Sequence, residues 1–153
     1  MKLMKNIILI LYLFFLNSCG YTSVYKNQKS QDFQITIIEM TGDKEINNLI
    51  KNDLKFYSNN ISNIKYNISI NSNYQKIIIS KNSAGVATDY KLIVDTIISF
   101  DKENKNNILN FNEKINIKNN SNSFEQNTYE KNIKKNFASS ISDKFIIKII
   151  SEK

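Results

Sequence analysis

Asp89–Phe100 reads DYKLIVDTIISF, and its alternation decides the fold. Tyr90, Leu92, Val94, Thr96, Ile98 and Phe100 share one parity, while Asp89, Lys91, Ile93, Asp95, Ile97 and Ser99 share the other. Successive side chains of a strand point to opposite faces, so this is a strand with one buried face and one mostly polar face. Upstream, Asn82-Ser83-Ala84-Gly85 supplies turn chemistry. Before the turn, Ile64, Tyr66, Ile68 and Ile70 alternate with Lys65, Asn67, Ser69 and Asn71, a second half-buried strand. Its phase slips between Ser72 and Lys76, which predicts a bulge before Ile77-Ile78-Ile79 continues the strand. Downstream, Asp101 to Asn107 reads as a charged turn. Leu109, Phe111, Ile115 and Ile117 then mark another strand, with Asn110, Asn112, Lys114 and Asn116 facing away.

The flanks of this three-stranded centre carry a strand and two helical stripes. Phe33–Met40, FQITIIEM, is rich in isoleucine and fits a strand. Thr41-Gly42-Asp43 turns the chain, and Asp43 is a candidate cap for a helix running to about Asn59. Its stripe is Ile46, Leu49, Ile50, Leu54 and Tyr57. At the other end, a polar loop from Asn119 to Ser123 precedes a long helix, with Ser123 and Gln126 spaced as a capping box. Tyr129, Ile133, Phe137, Ile141, Phe145 and Ile149 recur every fourth residue, and Ala138, Ile146 and Ile150 widen the stripe. Aromatics in such a stripe are read as core packing.

The order β-α-β-β-β-α predicts a two-layer α+β domain, a four-stranded mixed sheet with both helices on one face. The first β-α-β step joins parallel strands by a right-handed crossover. Leu92, Val94, Ile98, Ile133, Phe137 and Ile141 are expected between the layers. The other sheet face stays uncovered and is available to a partner.

The N-terminus carries a different signal. Lys2 and Lys5 precede an apolar run from Ile7 to Leu16, broken only by the Tyr12 hydroxyl, and Asn17-Ser18-Cys19-Gly20 follows. A basic head, a short apolar middle and small residues at the cut describe a secretory signal peptide. The run is far short of the roughly 20 apolar residues that span a bilayer. An A-x-A-like site is absent. Leu16-Asn17-Ser18-Cys19 instead resembles the lipobox of bacterial lipoproteins, although Asn17 departs from the usual small or β-branched residue and bears on the efficiency of processing. Residues 1–18 are therefore expected to be removed, 19–32 to form a lipidated tether, and 33–153 to form the domain. Cys19 is the only cysteine, so no intramolecular disulfide forms, and its sulfur is the expected lipid attachment point. Gly20 stands where an aspartate commonly signals inner-membrane retention, which favours the outer membrane.

All 21 basic residues are lysine, so the formal charge of +7 is made without arginine, and histidine, tryptophan and proline are also missing. Loss of Lys2 and Lys5 leaves about +5, which suits an anionic partner. No arginine is present for bidentate contacts to phosphate or guanine, and an exported lipoprotein does not normally meet nucleic acid. The anions on hand in an envelope are lipid phosphates and lipopolysaccharide. Catalysis is poorly provided for, with no histidine as base or metal ligand and one thiol expected to be acylated. Ser23–Lys26 and Ser62–Lys65 match S-x-x-K but lack the S-D-N and K-T-G companions, so both are read as chance. The three glycines are too scattered for a phosphate-binding loop. Neither enzyme chemistry, a metal nor a cofactor is expected.

The layout resembles a family. Cys19-Gly20-Tyr21 is followed by a strand and a helix, then by a hairpin from Ile78-Ile79-Ser80-Lys81-Asn82 through Ala87-Thr88-Asp89-Tyr90-Lys91-Leu92. A closing helix runs from Tyr129-Glu130-Lys131-Asn132-Ile133 through Ala138 to Phe145. This pattern is similar to the lipopolysaccharide-assembly lipoprotein family LptE, over nearly the whole mature chain. The resemblance implies a non-enzymatic plug inside the outer-membrane β-barrel LptD, which helps that barrel assemble and binds lipopolysaccharide through basic residues. The family's binding arginine near the central hairpin has no clean match, and Lys81 and Lys91 are the nearest substitutes, with Lys76 on the same hairpin. The alternative is a structural outer-membrane lipoprotein that braces another envelope complex without a lipid ligand.

Overall fold

The computed structural model describes residues 33–102 and 105–151; the export signal, Cys19 and the tether lie outside the described residues. The chain runs β1 (Phe33–Gly42), α1 (Lys44–Ser58), β2 (Ile64–Lys81), β3 (Ala87–Lys102), β4 (Lys105–Lys118) and α2 (Ser123–Ser151). The strands lie in the order β1-β2-β3-β4. β1 pairs parallel to β2 across α1, while β2–β3 and β3–β4 are antiparallel. This is the expected β-α-β-β-β-α mixed sheet. Among the described residues, no helix is long and apolar enough to cross a membrane.

Both helices lie on one face of the sheet. α1 packs over β1 and β2, α2 lies over β3 and β4, and the helices touch each other. Leu92, Val94, Ile98, Ile133, Phe137 and Ile141 are all buried between the layers. A chain of aromatic contacts ties the layers together. Phe145 meets Phe100 edge-on at 5.9 Å, Phe100 meets Tyr66 at 6.0 Å, Tyr66 meets Phe33 at 5.8 Å, and Phe33 stacks on Tyr57 at 5.3 Å. These five rings reach from α2 through β3, β2 and β1 to α1.

The connection from β1 to α1 is set locally. Gly42 has φ +84, and a Cβ there would collide with the backbone oxygen of Ser72, so only glycine fits this close approach. Asp43 caps α1 as expected, its carboxylate accepting from the Ile46 amide at 2.9 Å. The Asn47 side chain donates to the Thr41 carbonyl at 2.7 Å and ties the first turn back to β1.

Three local expectations are corrected. β2 does not bulge between Ser72 and Lys76. Ser72 keeps the core phase because its hydroxyl pairs with Thr96 at 2.9 Å across the ladder, with both residues buried. The register break comes later, between Ile78 and Lys81. The stretch from Asp101 to Asn107 is not a long turn, because the β3–β4 ladder continues to the Lys102–Lys105 pair. Finally, Asn122 rather than Ser123 caps α2, its amide oxygen accepting from the Phe124 amide at 3.0 Å and the Glu125 amide at 3.3 Å. Asn and Ser cap about equally well, and the earlier start lets Gln126 accept from the Asn120 amide at 2.8 Å.

In α2 the fourth-residue stripe is buried from Ile133 to Ile149, but Tyr129 is 51% exposed. Each fourth-residue step overshoots a full turn by about 40°, so the stripe winds around the helix and its first member leaves the sheet. Ile150 is also more than one-third exposed.

Candidate ligand-binding face

The sheet face opposite the helices carries the odd-numbered residues of β2 and β3, up to the break after Ile78, and the even-numbered residues of β4. On it, Lys91 lies between Ile77 of β2 and Asn116 of β4. Lys114 stands opposite Ile93, and Lys118 stands opposite Asp89. Lys114 and Lys118 flank Asn116, so each is a diagonal neighbour of Lys91, about 7–8 Å away on the adjacent strand. Lys91 is half-buried, while Lys114 and Lys118 are exposed. None of the three is within ion-pair distance of a carboxylate among the described residues. Ile77, 42% exposed, faces Lys91, and the half-buried Ile93 faces Lys114, so apolar surface adjoins the triangle.

Two carboxylates oppose this charge: Asp95, like Lys91, is a diagonal neighbour of Lys114, and Asp89 stands opposite Lys118. Asp89 accepts hydrogen bonds from the hydroxyls of Ser80 and Thr88. These bonds, the Ser80 one first, hold its pKa below the usual carboxylate range, and the Lys118 charge adds to them. The patch is therefore basic by a margin of one charge, three ammoniums against the carboxylates of Asp89 and Asp95. Three ammoniums on a flat surface suit a multiply charged oxyanion such as a phosphate, as point charges rather than as a fork.

The three lysines of the central hairpin do not share a face. Lys91 lies on the open side, whereas Lys76 faces the helices. The Lys76 ammonium pairs with Glu130 of α2 at 2.7 Å and sits 4.5 Å from the centre of the Tyr90 ring. Lys81 lies beyond the register break, opposite Ala87. The turn after it is held by the Asn82 carboxamide, which accepts from the Ala84 amide at 3.0 Å and the Val86 amide at 2.9 Å.

Lys76 belongs to a second polar cluster, which holds α2 against the hairpin. Tyr74 donates to Glu130 at 2.5 Å, and Lys134 pairs with Glu45 of α1 at 2.7 Å while lying 4.2 Å from the Tyr74 ring centre. Each lysine thus has one carboxylate and one aromatic face. Burial raises the Tyr74 pKa above its ordinary value, and the bond to Glu130 raises it further. Burial also pushes Glu130 up, but hydrogen bonds from Lys76 and Tyr74 and the charges of Lys76 and Lys134 outweigh it and hold Glu130 low. A carboxylate with a lowered folded pKa adds stability that is present above its unfolded value, near 4.5, and is lost as pH falls through the folded one. Glu130→Gln should therefore be less stable than wild type at pH 7. In urea titrations across pH 3–7 the gap should close below about pH 4.5. Parallel stability profiles would assign the acid sensitivity elsewhere.

Among the described residues, no group of three or more His, Cys, Asp or Glu side chains is placed to hold a metal ion.

No family model and no curated protein matches the sequence. Solved structures do match. The crystal structure of rare lipoprotein B from Shewanella oneidensis superposes with TM-score 0.57 at 11% identity, covering 76% of this chain and 96% of that one. The domain shares its fold with that lipoprotein. A minor lipoprotein from Acinetobacter baumannii matches with TM-score 0.52 at 9% identity, over 74% of this chain and 91% of that one. A protein described as a lipoprotein from Caulobacter crescentus CB15 matches with TM-score 0.53 at 10% identity, over 80% and 93%. At these identities the likeness is one of fold. The strand register of this chain places the lysine triangle on the uncovered sheet face.

Lys114 and Lys118 escaped the sequence reading as site residues. The signal for them is the hairpin register. A two-residue connection after Lys102 pairs Lys91 with Asn116, whereas a turn centred one residue later would change every facing pair.

Proposed function

We propose that this chain is a lipid-anchored outer-membrane lipoprotein of lipopolysaccharide assembly. In this reading the domain seats within an LptD-type β-barrel, helps that barrel assemble, and meets lipopolysaccharide phosphates through its uncovered sheet face. It is a binding and assembly protein rather than a catalyst, anchored through Cys19. The observation that carries the reading is the triangle of Lys91, Lys114 and Lys118 beside Ile77 and Ile93, free of ion pairs among the described residues and set on a face that no helix covers. The LptE-like fold and the lipobox-like Leu16–Cys19 support it.

The test is charge reversal of all three lysines to glutamate, with lipopolysaccharide binding measured at low and moderate salt. Exposed ion pairs contribute about 0.5 kcal/mol each, so three together amount to roughly tenfold in affinity. Reversal should cost at least that at low salt and less as salt rises. Reversing Lys76 and Lys81 instead should have a smaller effect. A folded triple variant that binds as well as wild type at both salt concentrations would falsify this assignment. The second reading, a brace for another envelope complex without a lipid ligand, draws on the same face. Asp95 and Asp101 there, with the Asn112 amide bonded to Asp95 at 2.6 Å, give it the mixed polarity of a protein contact. Co-purification through a C-terminal tag separates the two: a roughly one-to-one barrel partner supports the first.

A further inference from the structure

One end of the domain holds both the point where the chain enters from residue 32 and a group of exposed apolar side chains. β1 starts there at Phe33, and β2, parallel to it, starts there at Ile64. α1 ends there at Ser58. α2 ends there as well, because Phe145 meets Phe100, which pairs with Ile68 near the start of β2. Lys134 of α2 pairs with Glu45 of α1, and the two helices run the same way. Phe56 and Phe145, each eleven residues further on, therefore lie about level.

The side chains at this end are apolar and uncovered. Phe56 is 57% exposed and Ile147 is 66% exposed. Ile61, in the loop between α1 and β2, is fully exposed, and Ile64 and Ile150 are more than one-third exposed. Each helix also brings one lysine to its last turn, Lys55 and Lys148. The carboxylates nearest on the helices, Asp53 and Asp143, stand about a turn further back. Grouped exposed apolar residues mark a contact with a protein or a membrane. What decides between them is where the chain outside the domain leads. Residues 20–32 span at most about 45 Å when fully extended, so an anchor on Cys19 holds Phe33 within that distance of a bilayer.

We propose that this end of the domain rests on the surface of the bilayer that holds the Cys19 anchor. Phe56, Ile61 and Ile147 enter the headgroup region, and Lys55 and Lys148 extend their ammoniums to lipid phosphates. A short tether keeps the end at a roughly millimolar effective concentration at the surface, so a weak contact suffices. Val86 and Phe124 are exposed too, but they lie at the opposite end, about 43 Å away along α2. Docking stands the domain on end, with the Asn82–Gly85 turn held away from the lipid. The proposal rests on Cys19 as the anchored residue and applies while no barrel encloses the domain.

The experiment uses the mature chain coupled through Cys19, its one thiol, to a maleimide-bearing phospholipid in phosphatidylcholine vesicles. Chemical coupling replaces acylation, so the outcome does not depend on whether cells acylate Cys19. The chain has no tryptophan, so Phe56→Trp, Ile147→Trp and Phe124→Trp each place a single reporter. Flotation confirms coupling, and circular dichroism confirms folding. Emission from the first two should shift to the blue on coupling and be quenched by lipids brominated along the acyl chain, while Phe124→Trp should do neither. In the Phe56→Trp chain, Ile61→Ser with Ile147→Ser should lower the ratio of docked to undocked domain about tenfold. Quenching at Phe124→Trp equal to that at the other two overturns the proposal, as does its absence at both Phe56→Trp and Ile147→Trp. A blue shift without quenching that grows with protein density on the vesicle assigns the patch to a second copy and overturns it too.

Discussion

Phe145→Ala is expected to lower the stability of the domain by about 3–5 kcal/mol, a large share of the roughly 5–15 kcal/mol that holds a typical domain together. Phe145 is fully buried and meets Phe100 edge-on. Its loss removes a ring from a close-packed site and opens a cavity that its neighbours fill only in part. It also removes the end of the aromatic chain that links α2 through the sheet to α1, and an edge-to-face pair adds about 0.5–1.5 kcal/mol beyond the buried area. The check is urea unfolding followed by circular dichroism. The midpoint should fall while the slope stays constant, which marks a change in stability rather than in the surface exposed. A loss below about 1 kcal/mol would show that α2 is not seated by this ring.

Cys19→Ala should have the other large effect, an all-or-none one. The motivation is Leu16-Asn17-Ser18-Cys19 and the absence of any second cysteine. Each buried methylene adds about 0.8 kcal/mol of anchoring, so one acyl chain holds a protein marginally and several hold it firmly. Without the sulfur, labelling by a fatty-acid probe should vanish, and the product should be unprocessed or soluble. The competing possibility is an ordinary signal followed by a free thiol. A mature wild-type protein that reacts with a maleimide at Cys19 would establish that alternative and end the anchoring claim.

The fold was legible because each element carried a long, regular pattern. Tyr90 to Phe100 alternate without fault, and every member but Tyr90 is buried. The stripe from Ile46 to Tyr57 lies on one side of α1, with Asp43 where a cap belongs. The misplaced bulge in β2 fell where polar residues occupy core phase. Ser72, Tyr74 and Lys76 continue the buried parity of β2, but their partners, Thr96 and Glu130, lie 24 to 56 residues away. No local pattern reveals such pairing, so isoleucines 77–79 pulled the apparent phase toward themselves. In the structure these three are 42–48% exposed. The site was less legible for the same reason. Lys76 looked free in the sequence and is held by Glu130, while Lys114 looked like a solvated lysine and lies diagonal to Lys91. Placing a lysine on a face requires the register, and the β3–β4 ladder runs on to the Lys102–Lys105 pair, well inside the stretch from Asp101 to Asn107 that the sequence suggested as a turn.

The parallel pairing of β1 with β2 also has a consequence for the order in which the molecule is made. The antiparallel ladders of β2, β3 and β4 join strands connected by short links, so they close quickly once those strands exist. β1 is synthesised first, yet its neighbour in the sheet, β2, arrives only after α1. With Gly42 paired to Ser72, β1 has no complete ladder until the chain through Ser72 has emerged. During that interval FQITIIEM is an apolar strand with both sides unpaired. A holding chaperone acting on the nascent chain would find its target there, and the same segment keeps one open side after folding is complete.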